Sequence, residues 1–197
     1  MVLRNFTKFE NGKTLVFFVR HGSRIHIPEN PNLGLRIPGP GLSALGKKQA
    51  KLVAKKFSKI KDEIDFLYSS DMARAIETAD EIGKEINKKP IICEGISEFN
   101  KFLWERKLYH KHFWKHYKLY KISLRKLDEI LKKNEKRVIV IVAHGNVIRG
   151  IIGNKLGLKM NQIKKFNYNN CAVTLARFKG IKLDYIYYLN NKGALIK

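Results

Sequence analysis

Six consecutive apolar residues, Val138-Ile139-Val140-Ile141-Val142-Ala143, run directly into His144-Gly145. A strand with one face in water alternates apolar and polar residues, so an unbroken run this short reads as a strand covered on both faces. Such strands sit in sheets sandwiched between helices. Near the N-terminus the chain repeats the device: Leu15-Val16-Phe17-Phe18-Val19 leads into Arg20-His21-Gly22.

The intervening segments supply the other layers. Residues 28–41 are rich in Pro and Gly and predict a loop long enough to serve a site. Ser43 then caps a helix with the apolar stripe Leu42, Leu45, Ala50, Val53, Phe57 and Ile60. Ile64 to Tyr68 predicts a second strand. Ser69-Ser70-Asp71 opens a helix with Met72, Ala75, Ile76, Ala79, Ile82 and Ile86 inward. Pro90 to Cys93 predicts a third strand, and Asn146 opens a helix after the long one. Ala172–Phe178 and Lys182–Leu189 read as two last strands joined by a turn at Lys179-Gly180. The expected architecture is α/β, a three-layer α/β/α sandwich with a mostly parallel central sheet. It forms a single domain over 1–197, with a helical lid-like insertion at about 99–134.

Composition narrows the partners. The chain has 197 residues and a hydrophobic fraction of 44%, enough for a full core. No apolar run approaches the roughly 20 residues of a membrane helix. Met1 to Asn11 lacks a signal-peptide core, so a cytoplasmic protein without membrane contact is expected. Cys93 and Cys171 are far apart in apolar surroundings, which suits two buried, reduced thiols. The net charge of +23 favours anionic partners: phosphorylated metabolites, phosphoproteins or phosphopeptides, nucleic acid or an acidic membrane surface. The lysines are spread along the whole chain, so a generally Lys-rich surface explains the charge equally well, and a nucleic-acid partner is not expected.

Ligands of open α/β sheets sit beyond the carboxyl ends of the strands. Arg20 and His21 follow the first strand, Arg74 starts the helix after the second, and His144-Gly145 follows the long one. Two imidazoles and two guanidiniums thus converge at one edge. Guanidiniums grip phosphate oxygens, and a helix N-terminus adds N–H donors. A neutral His beside such a clamp can attack phosphorus, and the arginines stabilise the charge on the transferring group. The leaving oxygen needs a proton, for which Glu98 is the best placed carboxyl, with Glu94 and Asp71 as competitors. The arginines are expected to keep that carboxyl ionised until phosphate binds. Neither a metal nor another cofactor is expected, because no ligand cluster with metal spacing is evident along the chain.

Five segments in order resemble the histidine phosphatase superfamily, the phosphoglycerate mutase-like group. They are Val19-Arg20-His21-Gly22, Leu42-Ser43-x-x-Gly46-x-x-Gln49-Ala50, Tyr68-Ser69-Ser70-Asp71-x-Ala73-Arg74-Ala75-x-Glu77-Thr78-Ala79, Ile96-Ser97-Glu98-Phe99 and Val142-Ala143-His144-Gly145-Asn146-x-Ile148-Arg149. Asn169-Asn170-Cys171-Ala172-Val173-Thr174 also fits. The resemblance implies His21 as nucleophile, Arg20, Arg74 and His144 around the phosphate, and Glu98 as acid and base. Arg24 and Asn146 are added as candidate phosphate contacts.

Two departures favour a phosphatase over a mutase. Ser23-Arg24 follows Arg-His-Gly where the family's mutases usually carry Glu, and Phe99-Asn100-Lys101-Phe102-Leu103-Trp104 lacks the mutase signature after the donor Glu. The expected activity is metal-independent hydrolysis of phosphomonoesters through phosphohistidine. A phosphomutase and a non-catalytic anion- or nucleic-acid-binding protein are the alternatives. In residues 99–120 aromatics and bases interleave. Phe102, Tyr109, Phe113, Tyr117 and Tyr120 have near-helical spacing and are expected to pack, with a lid placing Trp104, Tyr109, Phe113 or Trp114 on the leaving group, or a nucleic-acid surface, as the alternatives. His110, His112 and His116 are expected on an exposed basic face. Glu77 and Arg149 are read as structural, Arg149 through a salt bridge.

Overall fold

The computed structural model describes residues 12–27, 37–99, 103, 113–193 and 195. Six strands form one sheet: β1 (Thr14–Arg20), β2 (Phe66–Ser70), β3 (Ile91–Cys93), β4 (Val138–Ala143), β5 (Val173–Lys179) and β6 (Lys182–Asn191). The helices are α1 (Ala44–Ser58), α2 (Ala73–Ile86), α3 (Phe113–Lys133), α4 (Gly145–Lys155) and α5 (Met160–Ile163), with a 3-10 turn at Lys61–Glu63. The strand order is β3-β2-β4-β1-β5-β6. The first four in that order are parallel, while β5 and β6 close the edge antiparallel, as expected for the final hairpin.

The apolar runs divide their side chains between two cores, which is why they show no polar alternation. Leu15, Phe17, Val19, Val138, Val140 and Val142 pack with Val53, Phe57, Ala75, Ala79 and Ile82 of α1 and α2. Val16, Phe18, Ile139, Ile141 and Ala143 pack with Leu124, Leu127, Ile130, Ile148 and Ile152 of α3 and α4. Burying each large aliphatic or Phe side chain contributes about 1.5–3 kcal/mol, so both layers are firmly attached to the sheet. The helices following β1 and β4 lie on opposite faces. That divergence opens a crevice at the carboxyl ends of two neighbouring strands. In the β1–β4 register Arg20 pairs with Ala143, so His21 and His144 leave the sheet side by side.

Several local expectations are corrected. Leu45, placed on the inner stripe of α1, is 59% exposed. Ser69 and Ser70 end β2 instead of opening a helix, and Met72 is the N-cap of α2. Residues 113–133, assigned to a lid-like insertion, form a layer helix whose Leu124, Leu127, Ile130 and Leu131 pack on the sheet. Phe113 and Tyr120 are buried as the aromatic stripe required, whereas Trp114 is exposed. His116, expected on an exposed face, is buried. Phe102, Trp104, Tyr109, His110, His112 and most of the Pro-rich loop, including Pro28, Pro31 and Gly34, lie outside the described residues. Both cysteines are free and buried. Among the described residues no helix is long and apolar enough to cross a membrane.

Candidate active site

The loop after β1 is fixed from all sides. His21 N donates to the Ala143 carbonyl (3.0 Å), and Asn170 Nδ2 donates to the His21 carbonyl (2.9 Å). Gly22 N donates to Thr78 Oγ1 (3.1 Å), whose hydroxyl donates to the Arg74 carbonyl (2.7 Å). Ser23 N donates to Gln49 Oε1 (2.8 Å). Ser43 caps α1 by accepting from Gly46 N (3.1 Å), and it also donates its own N–H to the Ser23 carbonyl (2.9 Å). Here two chain segments nearly touch: a Cβ on Gly46 would lie 2.0 Å from the Ser23 oxygen, and one on Gly22 2.5 Å from the Gly46 oxygen. Glu77 accepts from Leu42 N (3.0 Å), the structural role read for it from sequence.

Within this frame His21, Arg74 and His144 are buried, while Arg20 and Glu98 are half-buried. His21 Nδ1 lies 2.6 Å from the Gly22 carbonyl, an acceptor only, so Nδ1 carries the proton. Nε2 then presents its lone pair and accepts from Arg74 Nε at 3.1 Å. The two imidazole centroids are 5.0 Å apart. His144 Nε2 lies 2.8 Å from Ser70 Oγ. Arg20 Nη1 is anchored on the Tyr168 carbonyl. Arg20 Nε, Arg74 Nη1 and His144 Nδ1 are buried without a hydrogen-bond partner among the described residues. Such atoms are costly to leave unmatched; the two guanidinium donors suit an oxyanion, and His144 Nδ1 can join them only when it too carries a proton.

Glu98 sits beside the two histidines: ligand atoms of His21, Glu98 and His144 all lie within 4.8 Å of one another. Glu94 is exposed, and Asp71 engages Ser70 and Ser97, so neither competing carboxyl is a member of this cluster. The expected downward pull of the arginines on Glu98 is present but does not prevail. Burial pushes its pKa above the usual carboxylate value, outweighing Arg74 and Arg20, which pull it down. Burial first, then Arg74, hold both His21 and His144 well below the ordinary imidazole value. Arg74 is itself pushed down by burial to about 10 and stays cationic near neutrality.

The same three residues also form a donor set that a metal ion could use, a convergence hidden in the sequence by their separation. Two guanidiniums share the pocket and oppose a cation there, so the donors fit an anion better. Arg24 is half-buried, and its charge bears on His21 and Arg74. Asn146 Nδ2 donates to the Phe99 carbonyl (2.8 Å), and its side chain also hydrogen-bonds Glu98. Arg149 Nε lies 3.4 Å from the Gly145 carbonyl, and its charge is felt by Glu98. Arg36 lies outside the described residues.

A pocket of histidines and arginines at the carboxyl edge of such a sheet defines a phosphoryl-handling enzyme. The family model for the histidine phosphatase superfamily (branch 1) matches residues 16–190, and the chain belongs to that superfamily. Phosphoserine phosphatase 1 of Hydrogenobacter thermophilus is 25% identical over 182 residues, covering 81% of this chain and 84% of its own. A second protein of that organism, provisionally named phosphoserine phosphatase 2, is 26% identical over 171 residues, covering 74% and 81%. The fold matches the crystal structure of Entamoeba histolytica phosphoserine phosphatase in complex with 3-phosphoglyceric acid at a TM-score of 0.69. That pair is 24% identical, with 93% of this chain and 100% of the other covered. Mycobacterial glucosyl-3-phosphoglycerate phosphatase matches at a TM-score of 0.67 and 19% identity, with 90% and 99% covered. Family and relatives together support phosphatase activity, hydrolysis of phosphoric monoesters.

Proposed function

We propose that this chain hydrolyses small carboxylate-bearing phosphomonoesters of the phosphoserine or phosphoglycerate type through phospho-His21. The observation that carries the reading is the aimed Nε2 lone pair of a neutral His21, held against Arg74 with Glu98 alongside. His21 Nε2 attacks phosphorus as the bond to the leaving oxygen breaks, and the Glu98 proton passes to that oxygen. Arg20 and Arg74 hold the phosphoryl oxygens, and His144, which the bound phosphate dianion favours in its doubly protonated form, adds its Nδ1–H. Water then attacks phosphorus, gives its proton to Glu98, and releases phosphate from Nε2.

Arg24, whose charge bears on His21 and Arg74, supports the substrate class because it offers a further cation to a carboxylate. An assay of O-phosphoserine, 3-phosphoglycerate, p-nitrophenyl phosphate and a phosphopeptide, all in chelator, tests the reading. The two acid phosphates should lead in kcat/KM. His21→Ala should lose more than about 1,000-fold in kcat and form no acid-labile phosphoenzyme. Equal hydrolysis by wild type and His21→Ala, or faster conversion of 3- to 2-phosphoglycerate than release of phosphate, overturns it.

A further inference from the structure

Asp71 has no place in the mechanism above, yet hydroxyl contacts connect it toward both His144 and Glu98. Ser70 Oγ is 3.2 Å from Asp71 Oδ1 and donates to it. Met72 N donates to the same Ser70 oxygen at 3.3 Å, and His144 Nε2 approaches it at 2.8 Å. A hydroxyl has one proton. With that proton directed to Asp71, Ser70 meets His144 with a lone pair, so His144 must carry its proton on Nε2. On the other side Ser97 Oγ donates to the same Asp71 oxygen at 2.5 Å. Ser97 immediately precedes Glu98, whose N–H points to Met72 Sδ at 3.4 Å. One carboxylate oxygen therefore receives a hydroxyl from each arm of the site.

We infer that Asp71 is a positioning residue that fixes the His144 tautomer through Ser70 and the placement of Glu98 through Ser97. The strand register makes this possible. Ser69 pairs with Val142, so Ser70 and Asp71 leave β2 alongside the exit of His144 from β4. The inference rests on the reading of Glu98 and His144 as proton donor and phosphate ligand, but its first readout does not.

Long-range ¹H–¹⁵N spectra of the imidazoles, with the His144 signals assigned by their loss in His144→Ala, report the tautomer directly. Wild type should show Nε2–H at His144. Ser70→Ala should mix the tautomers, and Ser97→Ala should leave Nε2–H intact. Asp71→Ala should mix them and lower kcat by about 10- to 100-fold, and Asp71→Asn, which keeps a carbonyl acceptor, should recover most of that loss. Ser97→Ala should instead depress kcat for O-phosphoserine more than for p-nitrophenyl phosphate, whose leaving group needs little protonation. Nδ1–H at His144 in wild type, or an Asp71→Ala protein with unchanged tautomer and kcat, overturns the inference. Failure of the His21→Ala assay would sink the phosphohistidine reading while leaving the tautomer result standing. Asp71→Ala is checked for folding by its thermal melt, and if it does not fold the two serine variants decide alone.

Discussion

Burial acts on His21 and Glu98 in opposite directions, because each resists the charge it would otherwise carry. In the proposed mechanism the attacking imidazole must be neutral, and its depressed pKa favours that state. The donating carboxyl must be protonated, and its raised pKa extends that state above the usual carboxylate range. For O-phosphoserine kcat should therefore fall as pH rises through the Glu98 pKa, and Glu98→Gln should flatten that limb while lowering kcat by about 100- to 10,000-fold. With p-nitrophenyl phosphate the loss should be far smaller. A pH–rate profile of the variant that keeps the wild-type alkaline limb would assign the proton elsewhere. Stability follows the same shifts. The unfolded chain binds protons at His21 and His144 near their ordinary value while the folded chain does not, so the pair costs stability as pH falls below about 6.5. His144→Gln should weaken the drop in melting temperature between pH 7.5 and 5.5. Arg24 belongs to this scale too: Arg24→Ala should raise KM for O-phosphoserine about 10-fold, the size of one charged hydrogen bond, and leave KM for p-nitrophenyl phosphate within two-fold.

The α1 N-terminus and the loop after β1 are one structural unit. Gly46 abuts the Ser23 carbonyl, a backbone atom that cannot rotate away. Gly46→Ala should lower stability by about 1–3 kcal/mol in urea denaturation, and it should lower kcat by displacing His21. Unaltered stability would mean the two segments separate at no cost. This unit also marks where sequence reading stops. The runs Leu15–Val19 and Val138–Ala143 announced strands because burial on both faces is a local property of composition. The histidines and arginines could be placed together because strand ends share one edge. The sequence order of Gly46, Gln49, Thr78 and Asn170 matched a pattern, yet their work as supports of His21 is long-range and has no local signature. Leu45 and His116 were misplaced for a related reason, since periodicity finds a face but not where a neighbour's coverage ends. The Glu98 pKa depended on the depth of its burial against the reach of two guanidiniums, a balance no spacing reveals.

At the scale of the molecule, the net charge of +23 and the buried arginines act on different steps. In the proposed mechanism Arg20 and Arg74 meet the phosphoryl group inside the pocket, where salt screens little. Exposed bases such as Lys115, Lys118, Lys121 and Arg125 on α3 act through solvent, where the screening length is about 30 Å at 0.01 M salt and about 8 Å at 0.15 M. Their field can raise the encounter rate of an anion but cannot stabilise the transferring group. Raising NaCl from 10 to 200 mM should therefore lower kcat/KM for O-phosphoserine, by about 3- to 10-fold, and change kcat less than two-fold. The effect should shrink for the less charged p-nitrophenyl phosphate. If kcat fell in step with kcat/KM, salt would be reaching the pocket itself, and the division between steering surface and buried clamp would not hold. If neither changed, the lysines would be a solvated coat with no part in substrate capture.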